Sequence, residues 1–104
     1  MRCNHTIHHK KHHYGWDNSI TPVISIKAGE TVEVATIDAS GGQLSEKSQD
    51  SDLLSLDFER VNPVSGPIFV EGAEKGDIIS INFLDFSPND SGWGCTANIP
   101  GFGV

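Results

Sequence analysis

Basic side chains are scarce. Seven Lys and Arg stand against 14 Asp and Glu, a formal net charge of −7 in 104 residues. A chain of that sign is repelled by phosphate backbones and anionic headgroups, which argues against nucleic acid or a membrane surface as partner. A small neutral substrate suits it, although the charge also serves plain solubility. Long apolar runs are missing too. Nothing approaches the roughly 20 residues that cross a bilayer, and the opening MRCNHTIHHKKHHYGW lacks the apolar segment of a secretory signal. Cysteine is confined to Cys3 and Cys95, near opposite ends. With no signal peptide, two reduced thiols in a cytoplasmic protein are expected rather than a disulfide. Helical periodicity is nearly absent, which points to an all-β chain.

What is present is period-two alternation. PVISIKAGETVEVATID carries Val23, Ile24 and Ile26, then Val32, Val34 and Ile37, on either side of a Gly-centred turn at Lys27–Thr31. GPIFVEGAEKGDIISINFLDF repeats the design with Ile68, Phe69 and Val70, then Ile78, Ile79, Ile81 and Phe83. The pattern predicts strands near residues 22–27, 31–38, 67–71 and 77–86, arranged as two hairpin-like units. The fold class expected is all-β, a sandwich or barrel-like domain with long functional loops. Residues 39–67 are mostly polar, and within them only DLLSLDFERV has enough apolar residues to dock, as a short strand or helical turn. Residues 1–11 are expected to be a mobile His-rich terminus and 12–104 the β-rich domain. The end, SPNDSGWGCTANIPGFGV, is turn-rich, and Ile99, Pro100, Phe102 and Val104 form a hydrophobic anchor without an evident place to grip. Self-association or a larger partner is therefore expected.

Polar chemistry gathers at three places. His5, His8, His9, His12 and His13 all fall in the first thirteen residues, but Lys10 and Lys11 interrupt them and no zinc-finger spacing accompanies them. His12 and His13 lead into the first strand through HHYGWDNS, where Trp16 is expected to pack. DASGGQL, residues 38–44, sets a carboxylate at a strand end before two glycines and an amide. It is neither a G-x-S-x-G elbow nor a phosphate loop. Asp38 either closes an Asx-type turn on the backbone after it or serves a site as metal ligand or base. The residue types leave both open. Glu71, before Gly72, is either a second site carboxylate or a solvated turn acid.

Taken together, HHYGWDNSITPV, DASGGQL, NPVSGPIFVEGAEKGD and GW…IPGFG resemble, in this order and spacing, the N-terminal region of acetamidase/formamidase family proteins. The resemblance covers the chain from His12 onward. It implies hydrolysis of short aliphatic amides, formamide and acetamide, to carboxylate and ammonia, with a β-rich fold and assembly into oligomers. Family members are considerably longer, so it implies an N-terminal portion that acts with the rest, whether as a split-gene subunit or a truncated product. A non-catalytic assembly or binding module is the competing reading. On the amidase reading, Asp38 and Glu71 are the catalytic carboxylates, and Ser40, Gly41, Gly42 and Gln43 bind substrate. His12, His13 and Asp38 are then candidate ligands for a divalent metal such as zinc, which lowers the pKa of its water. Ser40 as nucleophile is the rival mechanism, with no Lys or His at a telling distance from it in sequence.

Overall fold

The computed structural model describes residues 2–95 and Asn98. Six short strands make three two-stranded sheets: β1 (His5–Ile7) with β4 (Val32–Val34), β2 (His12–His13) with β5 (Val64–Ser65), and β3 (Ile24–Ile26) with β6 (Ile68–Val70). The only regular helix described, α1 (Asp50–Leu54), and a single 3-10 turn (Phe58–Arg60) lie in the polar stretch between β4 and β5. The class is all-β, as the alternation indicates. Among the described residues no helix is long and apolar enough to cross a membrane.

Three of the four strands predicted from alternation are present, but their pairing differs from the hairpin-like units expected. The Lys27–Thr31 turn does form: Glu30 N–H donates to the Lys27 carbonyl at 3.1 Å, and Lys27 N–H donates to Glu30 Oε1 at 2.7 Å. The strands on either side then part. β3 pairs in parallel with β6, matching Ile24 to Ile68 and Ile26 to Val70, and β4 pairs in parallel with β1, matching Ile7 to Val34. Alternation reports which side chains share a face, not which strand lies alongside, and parallel partners need long connections.

His5–Ile7, expected to belong to a mobile terminus, is a strand. Its reason is local chemistry on both flanks. Asn4 N–H donates to the Thr31 carbonyl at 2.9 Å while Thr31 N–H donates to Asn4 Oδ1 at 2.9 Å. His5 Nε2 lies 3.2 Å from Glu30 Oε1. Ile7 is the most buried large side chain, at 1% exposure.

Residues 77–86, predicted as the fourth strand, hold no regular structure. Among the described residues the buried side chains are those of Ile7, Leu44 and Ser40. A radius of gyration of 16.6 Å exceeds the ~13 Å of a compact domain this size. Cys3 and Cys95 are both free. The expected anchor at Ile99, Pro100, Phe102 and Val104 lies outside the described residues.

Candidate active site

The DASGGQL segment is a closed turn built around one hydroxyl. Asp38 Oδ1 accepts the Ser40 N–H at 2.9 Å and also the Ser40 hydroxyl, the Asx-type arrangement. The same Ser40 Oγ accepts Leu44 N–H at 3.0 Å, and Ser40 is 5% exposed. Burial pushes the exposed-side Asp38 carboxyl up, but the Ser40 hydroxyl, the Ser40 N–H and the Gly42 N–H outweigh it and hold the group below its usual range. Asp38 is therefore an ionised anchor at neutral pH, and a weak base for that reason.

Gln43 ties this turn to the segment after α1. Its Nε2 lies 2.9 Å from the Ser40 carbonyl, 3.0 Å from that of Asp57 and 3.3 Å from that of Arg60. Its Oε1 accepts Asp57 N–H at 2.8 Å. Asn62 N–H closes the clamp on the Ala39 carbonyl at 2.7 Å. Gly41 is required here: its φ is +69°, and a Cβ there would run into the Arg60 carbonyl oxygen. Ser40 and Gln43, expected to bind substrate, thus have their polar atoms committed to the Asp38 carboxylate and to backbone. Gly42, with φ +83° and open space beside its Cα, is the member of the turn that remains accessible.

The two strand histidines face apart. Adjacent residues of a strand point to opposite faces, whereas residues two apart share one. His12 accordingly sits with Tyr14: Nδ1 donates to the His9 carbonyl at 2.7 Å, which leaves Nε2 to accept the Tyr14 hydroxyl at 3.3 Å. The Tyr14 hydroxyl lies 3.6 Å from the Cβ position of Gly41, so His12 reaches the Asp38 turn through Tyr14. His13 faces away, and its Nδ1 is buried with no hydrogen-bond partner among the described residues.

His13 lines an open cavity of about 610 Å³ with Trp16, Asp17, Asn18, Ser65 and the apolar side chains of β5 and β6. Hydrogen bonds from the Ser19 hydroxyl (2.6 Å) and N–H (2.9 Å) hold the Asp17 carboxylate below its usual range, and the positive potential of His13 adds to them. Trp16, expected to pack, is 90% exposed at the cavity wall. An imidazole, a carboxylate, an amide and a hydroxyl converge on a largely apolar cleft, the usual make-up of a small-ligand site.

Asp38, Gln43 and His12 are not among that cavity's lining residues. Nor does any group of three His, Cys, Asp or Glu able to hold a metal occur among the described residues. The donor set His12, His13 and Asp38 does not fit a metal, since the histidines diverge and both His12 nitrogens are engaged. Glu71 is exposed just past β6, where its N–H extends the ladder to the Ile26 carbonyl at 2.8 Å and its carboxylate has no described partner. Sequence reasoning missed Tyr14, Asp17 and Asn18. Period-two spacing from His12 to Tyr14 was the available signal for the first.

An all-β chain with an open, largely apolar cleft that carries a few polar groups has the make-up of a small-ligand site. The chain belongs to the Acetamidase/Formamidase family, whose model matches residues 2–104. It is 35% identical over 83 residues to the formamidase of Methylophilus methylotrophus, covering 79% of this chain and 20% of that protein. It is 30% identical over 76 residues to the acetamidase of Mycolicibacterium smegmatis, covering 73% of this chain and 19% of the relative. A crystal structure of acetamidase from Bacillus halodurans is similar at a TM-score of 0.63 and 36% identity, over 69% of this chain and 24% of that one. A predicted acetamidase/formamidase from Thermoanaerobacter tengcongensis aligns at 0.61 and 37%, over 70% and 24%. The chain spans about a fifth of the length of the curated relatives it matches.

Proposed function

We propose that this chain supplies one wall of a site that hydrolyses short aliphatic amides, formamide or acetamide, to carboxylate and ammonia. It does so within a larger cytoplasmic amidase whose β-sheets close, sandwich- or barrel-like, around it. Family membership supports the reaction class. The observation that carries the site is the unpartnered, buried Nδ1 of His13 beside the cleft. Burying a polar atom without a partner costs about 1–3 kcal/mol, and a hydrogen-bond partner supplied by the rest of the assembly recovers that cost.

The reaction adds water to the amide carbon, moves a proton from that water to a base, and then breaks the C–N bond as nitrogen takes up a proton. The His13 imidazole can accept the water's proton and return it to the departing nitrogen. Asp17, kept ionised by Ser19, favours the imidazolium formed in between. Asn18 offers hydrogen bonds to the amide, and Ser65, whose hydroxyl donates to the Ala35 carbonyl at 3.1 Å, can only accept one from the amide N–H. Asp38 acts at a distance as the anchor of the neighbouring turn, and Gly42 presents accessible backbone beside it. The cleft is far larger than formamide and open, so the oxyanion donors and the remaining wall come from the rest of the assembly.

A second reading has one observation in its favour. The polar groups of Ser40 and Gln43 are all engaged in holding the turn, as an assembly module without catalysis requires. Ammonia release from formamide and acetamide separates the two. It is measured with the chain alone, then with a polypeptide carrying the remainder of a family member. The amidase reading expects release only from the combination, and its loss in His13→Leu. Full release by a His13→Leu combination overturns the assignment of His13.

A further inference from the structure

Residues 78–86 bear large apolar side chains that lie mostly exposed among the described residues. Ile78 is 97% exposed, Ile81 71%, Phe83 78% and Phe86 73%, with Ile79 and Leu84 more than half exposed. Among the described residues the backbone of this segment makes one hydrogen bond, from Phe86 N–H to Asp85 Oδ1 at 2.8 Å. Among the described residues Phe83 stacks on Phe86 with centroids 5.8 Å apart. Extended as a strand, the segment puts Ile79, Ile81 and Phe83 on one face and Ile78, Leu84 and Phe86 on the other. A strand apolar on both faces belongs inside a sheet covered on both sides, not at a solvated edge.

We propose that residues 78–86 are an open strand that inserts into a sheet of the amidase portion lying outside the matched fifth of the relatives. This rests on the reading that the chain works within a larger amidase. Two observations select that occupant over a second copy of the chain. Pairing the segment with its own copy would fill one edge and leave both apolar faces bare, and each copy carries a net charge of −7 that opposes the pairing. The relatives, in contrast, have about four-fifths of their length beyond the match. Insertion also parts the Phe83–Phe86 stack, because residues three apart fall on opposite faces of a strand.

The test mixes the 104-residue chain with Bacillus halodurans acetamidase from which the matched segment is deleted, and follows binding by light scattering and amide exchange by mass spectrometry. In the chain alone, amides of 78–86 exchange at the free-peptide rate while those of β3 and β6 are slower. In the complex, 78–86 becomes protected at least tenfold. Ile81→Asp weakens the complex about tenfold or more, the equivalent of the ~1.5 kcal/mol lower bound for burying such a side chain. Since Ile81 is 71% exposed in the free chain, β3 and β6 stay protected in the variant, which shows that its fold is intact. A complex whose 78–86 amides still exchange freely overturns the proposal. So does failure of any complex to form, or a concentration-dependent dimer of the chain alone that protects this segment. A protected but inactive complex supports the insertion and counts only against the amidase reading.

Discussion

Replacing Gly41 by alanine should destabilise the chain more than the same change one residue later, for reasons that can be apportioned. Both glycines sit in the left-handed region, at φ +69° and +83°, where an L side chain costs about 1–2 kcal/mol. At Gly42 that is the whole penalty, since nothing lies within 4 Å of the new Cβ. At Gly41 the Cβ meets the Arg60 carbonyl oxygen, and either strand of the clamp must move. The bonds at stake are Asn62 N–H to the Ala39 carbonyl at 2.7 Å and Gln43 Nε2 to the Arg60 carbonyl at 3.3 Å. Each is worth about 1 kcal/mol net, so Gly41→Ala should cost about 2–4 kcal/mol against about 1–2 for Gly42→Ala. In a chain with so thin a core that difference is a large share of the total. Urea unfolding followed by far-UV circular dichroism measures both variants on one scale. Equal midpoints, or a lower midpoint for Gly42→Ala, would refute the clamp as drawn.

Acid should weaken the chain in a definite window. The Asp38 and Glu30 carboxyls are held below their usual values of 3.8 and 4.5, Glu30 chiefly by the Lys27 N–H and then by His5. The folded state thus binds these protons less readily than the unfolded state, so the contribution is complete above pH ~4.5 and is lost as pH falls through the lowered values. Asp38→Asn should flatten part of that acid loss, and adding Glu30→Gln should flatten more of it; an unchanged acid titration of stability would contradict both assignments. His13→Leu should leave stability equal or higher, by up to about 1–3 kcal/mol. The same change should cut amide hydrolysis in the full assembly about a hundredfold or more, so a destabilised but active variant would point to a structural histidine. Tyr14→Phe should cost no more than about 1 kcal/mol at this half-exposed site, with His12 losing its Nε2 partner as a shift in its imidazole nitrogen resonances; an unmoved resonance would deny the contact.

The sequence carried the strands of this fold better than their partners. Ile24–Ile26 and Val32–Val34 announce themselves by alternation, because each half-buries one face, and Ile68–Val70 by a short apolar run between turn residues. Pairing does not, since two parallel partners joined by a long connection leave no local mark, whereas the turn between β3 and β4 looks like that of a hairpin. β1 was hidden by its composition: a three-residue strand with one apolar side chain, held by Asn4 and Glu30, has no period to read. The Asx-type turn at Asp38 was legible as one of two alternatives. The engagement of Gln43 was not, because its partners Asp57 and Arg60 come from another part of the chain. The divergence of His12 and His13 follows from strand geometry, and the cavity beside His13 from β5, which sequence placed in a loop.

Stability and site are coupled through the same few bonds. β1 pairs with β4 and β3 with β6 across long connections, and each closure is unfavourable in entropy until the strands meet. A core of few buried side chains returns little for it. Much of the compensation comes from polar clamps: Asn4 and Glu30 at one end, and Asp38, Ser40, Gln43 and Asn62 at the other. The second clamp fixes Gly41 against Arg60, beside Tyr14, whose hydroxyl bonds His12 on one face of β2. Strand geometry then turns His13 to the other face, toward the cleft. In this arrangement Ser40 and Gln43, expected to touch substrate, hold the frame, and of the two histidines His13 is the one with an unpartnered ring nitrogen beside the cleft, on which the proposed chemistry rests.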